Sequence, residues 1–181
     1  VALALALTIT ACGRDPAQVR WDAAFGSAVR LGEDDPRAAE AALAKLATTA
    51  PRAVDEGFAR FALVDLVLDD NRTLEGAQLL LDIAEHARRQ DDRARAYYLL
   101  ARAAEQHGRL ASAKTMYRAL VRTYPNLMPG ERSLAHLLRI ARAEGPAAVD
   151  VHLAWTHGIA ETLAHTGLAD DMGPGEVHVD R

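Results

Sequence analysis

The stretch RARAYYLLARAAEQHGRLASAKTMYRALVRTYPN, residues 93–126, constrains the fold more than any other part of the chain. Tyr97, Leu100, Ala101 and Ala104 recur at helical spacing and share one stripe, and Ala113, Tyr117 and Leu120 form a second stripe after a break. Gly108 permits the turn between them, and Pro125 closes the second helix because its nitrogen cannot donate to a continuing ladder. Asp91 or Asp92 is expected to cap the first helix, accepting from amides left free at its start. Small residues fall where two helices would cross most closely. The spacing therefore predicts a helical hairpin. Abundant alanine, leucine and arginine, with few aromatic residues, extend that expectation to an all-α chain whose 181 residues hold one sizeable core.

The order Tyr97, Leu100, Ala101, Ala104, Gly108, Ala113, Tyr117, Leu120, Pro125 resembles the tetratricopeptide repeat (TPR), a two-helix unit of about 34 residues. Ala101 and Ala104 depart from it, standing where a glycine and a large aromatic are usual. Upstream, Ala39, Leu43, Leu46 and Pro51 repeat the second-helix spacing. Trp21, Ala24, Phe25, Ala28 and Gly32 fit a first helix, with two extra residues in the EDDP turn and Pro36 starting the following helix. In the middle, Phe61, Val64 and Leu68 are followed by Ala77, Leu81 and Ala84, with Asp65 and Arg89 as departures. After Pro125 the chain is expected to break at MPGE and resume as a helix carrying Leu134, Leu137, Leu138 and Ala141. Gly145 and Pro146 end that helix and start a last one, which would offer Val149, Leu153 and Leu163 to the core. The expected fold is an antiparallel helix-hairpin solenoid of about three TPR-like repeats over 21–166, with C-terminal capping helices, followed by a flexible tail over 167–181.

The single cysteine, Cys12, ends an uncharged run, VALALALTITA, too short to cross a bilayer and without a polar face at helical spacing. Ile9, Thr10, Ala11 and Cys12 resemble the lipobox of bacterial lipoproteins. That resemblance implies a signal-peptide remnant over 1–11, lipidation of Cys12, and a lipidated tether over 12–20 in which Pro16 breaks any helix. It also implies a cell-envelope location facing the periplasm, with Gly13 favouring the outer membrane. Two or three acyl chains would anchor stably where one would bind reversibly. The competing readings are a first helix capping the fold and a cytoplasmic repeat protein whose first residues mimic a signal.

A net charge of -4 supplies no basic surface for nucleic acid. Phosphate-loop and nucleophile-elbow patterns are missing from the sequence, so neither an enzyme nor a cofactor is expected. His157, Glu161 and His165 follow at helical spacing and raise the alternative of a small envelope metal-binding protein or enzyme. Eight residues of helix span ~12 Å, too far for one ion to take both histidines. Asp65, Asp69 and Asp70 lack calcium-loop spacing and fit solvent-facing charge at a helix end, and His107 fits a turn. The TPR resemblance implies a membrane-anchored scaffold that holds a peptide or helix of a protein partner in a concave groove, without a small-molecule substrate. It places Arg95, Tyr98, Arg102 and Glu105 on that groove, facing an acidic or mixed-charge segment. The alternative for these residues is that Tyr98 stacks on an adjacent helix while Arg102 pairs with Glu105 or Gln106.

Overall fold

A computed structural model describes residues 15–165, apart from the side chains of residues 160 and 162–165. Among the described residues all regular structure is α-helix: α1 (Pro16–Asp34), α2 (Pro36–Thr48), α3 (Ala53–Asp69), α4 (Thr73–His86), α5 (Gln90–Gln106), α6 (Leu110–Thr123), α7 (Met128–Glu144) and α8 (Pro146–His165). The expected class, all-α and built from consecutive helix hairpins, is what the structure shows. Cys12 and the run before it, and the tail over 167–181, lie outside the described residues.

The hairpins keep a nearly constant period. First helices begin at residues 16, 53, 90 and 128, and second helices at 36, 73, 110 and 146, so the step between units is 36 to 38 residues. That is longer than the ~34 residues of the repeat the sequence resembles. The chain divides into two compact units at Gly76/Ala77, inside α4. In the first unit α1 packs on α2, α2 on α3, and α1 also touches α3. In the second, α5, α6, α7 and α8 pack in succession, and α5 also touches α7. First helices of adjacent hairpins thus meet in both units.

Helix starts depend on proline and aspartate. Asp15 accepts from the Ala17 amide at 2.9 Å and Asp35 from the Ala38 amide at 3.1 Å, with Pro16 and Pro36 each in the first helical turn. A proline there forfeits no bond, because the first amides of a helix have no partner inside it. Pro36 behaves as expected. Pro16 does not: it opens α1 within the stretch expected to be a tether. The same physics corrects the expected break at MPGE, which is the first turn of α7 with Pro129 in it. It also corrects the cap of α5, where Arg89 occupies the cap position and Asp91 and Asp92 fall in the first turn, complementing the positive end of the helix dipole.

The turn at Gly108, with φ 72°, is where expected, and Asn71, with φ 60°, occupies the same place one unit earlier. Counted from their starts, the second helices bury Ala39, Gly76 and Ala113 at the fourth position and Leu43, Leu80 and Tyr117 at the eighth. The middle hairpin is therefore one residue out of the expected register. Leu80 is 5% exposed, whereas Leu81 is 44% exposed, and Gly76 takes the place assigned to Ala77. In α8 the core-facing stripe is His152, Trp155 and Ile159, while Leu153 is 47% exposed and half-buried Val149 alone matches expectation. The Leu163 side chain lies outside the described residues. The second unit's core centres on Ala101, Ala113, Tyr117, Leu120, Leu137 and Ile140. In the first unit Trp21 stacks on Phe25 with centroids 5.2 Å apart and donates its indole N–H to the Leu46 carbonyl at 3.2 Å, joining α1 to α2.

Candidate interaction face on α5 and α7

Arg95, Tyr98, Arg102 and Glu105 fall on one stripe of α5, and the structure separates them into two layers. Arg95 and Arg102 are exposed; Tyr98 is half-buried, and the Glu105 side chain is 12% exposed. The lower layer is a polar cluster joining α5, α6 and α7. Glu105 accepts from the Tyr117 hydroxyl at 2.8 Å, from Arg139 at 2.6 Å and from His136 Nδ1–H at 2.7 Å. That tautomer leaves His136 Nε2 to accept from the Tyr98 hydroxyl at 2.9 Å. The rings support the same geometry: His136 stacks on Tyr117 at 4.9 Å, and Tyr98 meets His136 edge-on at 5.6 Å. The reading of Tyr98 as stacked on an adjacent helix matches this contact. The Glu105 partner is Arg139 rather than Arg102.

Electrostatics follow from the contacts. Burial alone would raise the Glu105 carboxyl, but bonds from Arg139, Tyr117 and His136 outweigh it and hold the group below the usual carboxylate range. Burial, then Glu105, push the Tyr117 phenol well above its ordinary range, so it is a permanent donor. Both ring nitrogens of His136 are engaged by protein groups. The cluster therefore positions side chains and offers no free base to solvent.

The share of this face that α7 carries does not follow from the pattern of α5 alone. Arg132 and Arg139, both exposed, lie seven residues apart on α7, as Arg95 and Arg102 do on α5. At the corresponding places α3 carries Phe58 and Asp65, so the arginine pair is a feature of α5 and α7. The signal in the sequence is the shared spacing of seven residues. Two neighbouring first helices thus each carry two exposed arginines, and Glu105 on α5 already holds Arg139 of α7.

Other sequence candidates do not assemble into sites. No group of three His, Cys, Asp or Glu among the described residues could hold a metal ion. His157 and Glu161 are exposed, and the His165 side chain lies outside the described residues. His107 caps the end of α5. Asp65, Asp69 and Asp70 are exposed and edge an open cleft of about 430 Å³, with Glu33, between α1, α2 and α3, and Arg72 lies 3.7 Å from Asp70. Comparison with protein-family models, curated proteins and solved structures finds no match to this chain.

Proposed function

We propose that the chain is a scaffold of TPR-like hairpins that binds an acidic, extended segment of a protein partner across α5 and α7. The observation that carries this reading is that α5 and α7, which touch each other, each carry two exposed arginines seven residues apart, Arg95 with Arg102 and Arg132 with Arg139. Arginine forks take carboxylates bidentately, and a double row of them suits carboxylates that recur along a peptide. The buried cluster below supplies preorganisation: Glu105 aligns Arg139, and His136 holds Tyr98 against α7, so little ordering remains for the moment of binding. The hairpin resemblance supports the scaffold class, with units a few residues longer than the repeat it resembles.

On this reading the attachment is lipidic. Ile9, Thr10, Ala11 and Cys12 supply the lipobox, and α1 starts four residues after the cysteine. No helix among the described residues is long and apolar enough to cross a membrane. Acyl chains on Cys12 would therefore hold the start of α1 close to the surface of a bacterial envelope membrane.

Binding is tested with a ten-residue glutamate-rich peptide and its lysine counterpart, followed by fluorescence anisotropy. Exposed charge pairs contribute ~0.2–1 kcal/mol each, so Arg95→Glu with Arg102→Glu should weaken the acidic peptide roughly tenfold or more. Binding should also weaken with added salt. Neither arginine supports the core, so the fold should survive. Equal affinity for the two peptides, or no loss in the double variant, would remove this face from the function.

A further inference from the structure

A second concave feature lies away from that face. Between α6, α7 and α8 is a cavity of about 350 Å³ whose walls include Leu137 and Val151 and whose polar lining is Lys114, Arg118, His152 and Glu144. Its polar groups are unevenly matched. Lys114 and Glu144 satisfy each other at 2.6 Å. His152 lines the cavity while only 6% exposed, its ring 6.0 Å from that of Trp155. The Arg118 Nε is buried and without a hydrogen-bond partner. Arg118 and Arg122 both lie over the Trp155 ring, 5.6 and 5.9 Å from its centroid, so the indole helps hold both cations in place.

Buried donors without acceptors are rare in folded proteins, because each forfeits its bond to water and gains nothing. Here the deficit has one sign. Arg118 can only donate, and the nearby carboxylate, Glu144, is taken by Lys114. Burial, and then the Arg118 charge, hold the His152 imidazole below its usual range, so the ring is neutral and offers one N–H. What the cavity lacks is a negatively charged acceptor. What its walls offer is an apolar surface, which an inorganic oxyanion would leave unused.

We propose that this cavity binds an aliphatic carboxylate, with the carboxylate on Arg118 and His152 and the hydrocarbon against Leu137 and Val151. The same chemistry is carried by a free short-chain acid and by the C-terminus of a peptide that ends in an apolar residue. The proposal stands apart from the α5–α7 face and does not depend on it.

Calorimetric titration of the full chain with hexanoate tests the idea, with hexanamide and inorganic phosphate as comparisons. Saturable one-to-one binding of hexanoate is expected, at least tenfold tighter than either comparison. Arg118→Gln should weaken it at least tenfold. Because Arg118 also packs on Trp155, a second variant protects the test: Val151 is 63% exposed, so Val151→Glu should fold normally and repel the ligand by a similar factor. A peptide ending in leucine, with free or amidated terminus, separates the sources. Tighter binding than hexanoate, lost on amidation, assigns a chain end; weaker binding assigns a free acid. Failure of hexanoate to saturate, equal binding of hexanamide or phosphate, or unchanged affinity in folded Val151→Glu would overturn the assignment.

Discussion

Replacing Tyr117 by phenylalanine isolates the polar cluster from the packing around it. The ring is fully buried among α5, α6 and α7, and phenylalanine fills the same volume, so the change removes one hydroxyl and little else. That hydroxyl donates to the Glu105 carboxylate at 2.8 Å. A bond to a charged acceptor contributes ~1.5–3 kcal/mol. Glu105 keeps Arg139 at 2.6 Å and His136 at 2.7 Å, which places the loss at the lower end, about 1.5–2 kcal/mol. For a chain of this length that lowers Tm by about 3–8 °C. The effect should depend on pH. Glu105 is held below its unfolded value, so its stabilisation is complete above about pH 4.3 and is lost as pH falls through the depressed folded value. Urea unfolding followed by circular dichroism should show the full difference at neutral pH and a shrinking one on acidification below about pH 4. A difference under ~0.5 kcal/mol at neutral pH, or an undiminished loss in a Glu105→Gln background, would refute the carboxylate as the partner that matters.

The register of α4 is checked by comparing Leu80→Ala with Leu81→Ala: the first should cost ~2–5 kcal/mol and the second well under half as much, and the reverse order would restore the expected alignment. Gly130→Ala should destabilise by more than ~1 kcal/mol, because an added Cβ would overlap the Tyr124 carbonyl oxygen, whereas an unchanged Tm would mean that the backbone yields easily. In a bacterial host with a complete export signal, Cys12→Ala should abolish labelling by a fatty-acid analogue and partition into the detergent phase; retention of either would remove the lipid anchor.

Helix type and pairing were legible because they depend on contrast. Ala113, Tyr117 and Leu120 stand out among polar neighbours on α6, so their register is unambiguous. Leu79, Leu80 and Leu81 are an unbroken run, and any of the three satisfies an apolar stripe, so only the position of the turn at Asn71 decides between them. In α8 apolar residues occur on nearly every face, and periodicity cannot choose Leu153 or the His152–Trp155 side. The face on α5 was half legible for a different reason. Arg95 and Arg102 follow from helical spacing within one element, but Glu105 finds its partners 31 and 34 residues away, on α7. Single-helix patterns hold no record of such distances.

The repeat also contains a position that apolar patterning hides altogether. The third residue of every first helix is buried: Gln18 in α1, Asp55 in α3, Asp92 in α5 and Gly130 in α7. Three of the four are polar, which a hydrophobic template scores as surface. The first turn of a helix holds amides in need of acceptors and a positive dipole end that favours a carboxylate, which suits Asp55 and Asp92, whereas Gln18 donates to Asp22 at 2.7 Å. Asp55 shows the mechanism most fully. Its carboxylate takes the Arg52 guanidinium at 2.7 and 2.9 Å and the Arg52 backbone amide at 3.2 Å, with a further bond from Gln18, and these hold it below the usual range against the cost of burial. Arg89 approaches Asp92 at 3.8 Å in the corresponding place. At Gly130 the Tyr124 carbonyl fills the space that a side chain would occupy. The last hairpin thus keeps the buried position while exchanging a polar side chain for a close backbone approach. Its first turn keeps Pro129 and Glu131 but lacks the polar third residue of the earlier units, and the sequence there reads as a break although the helix is intact.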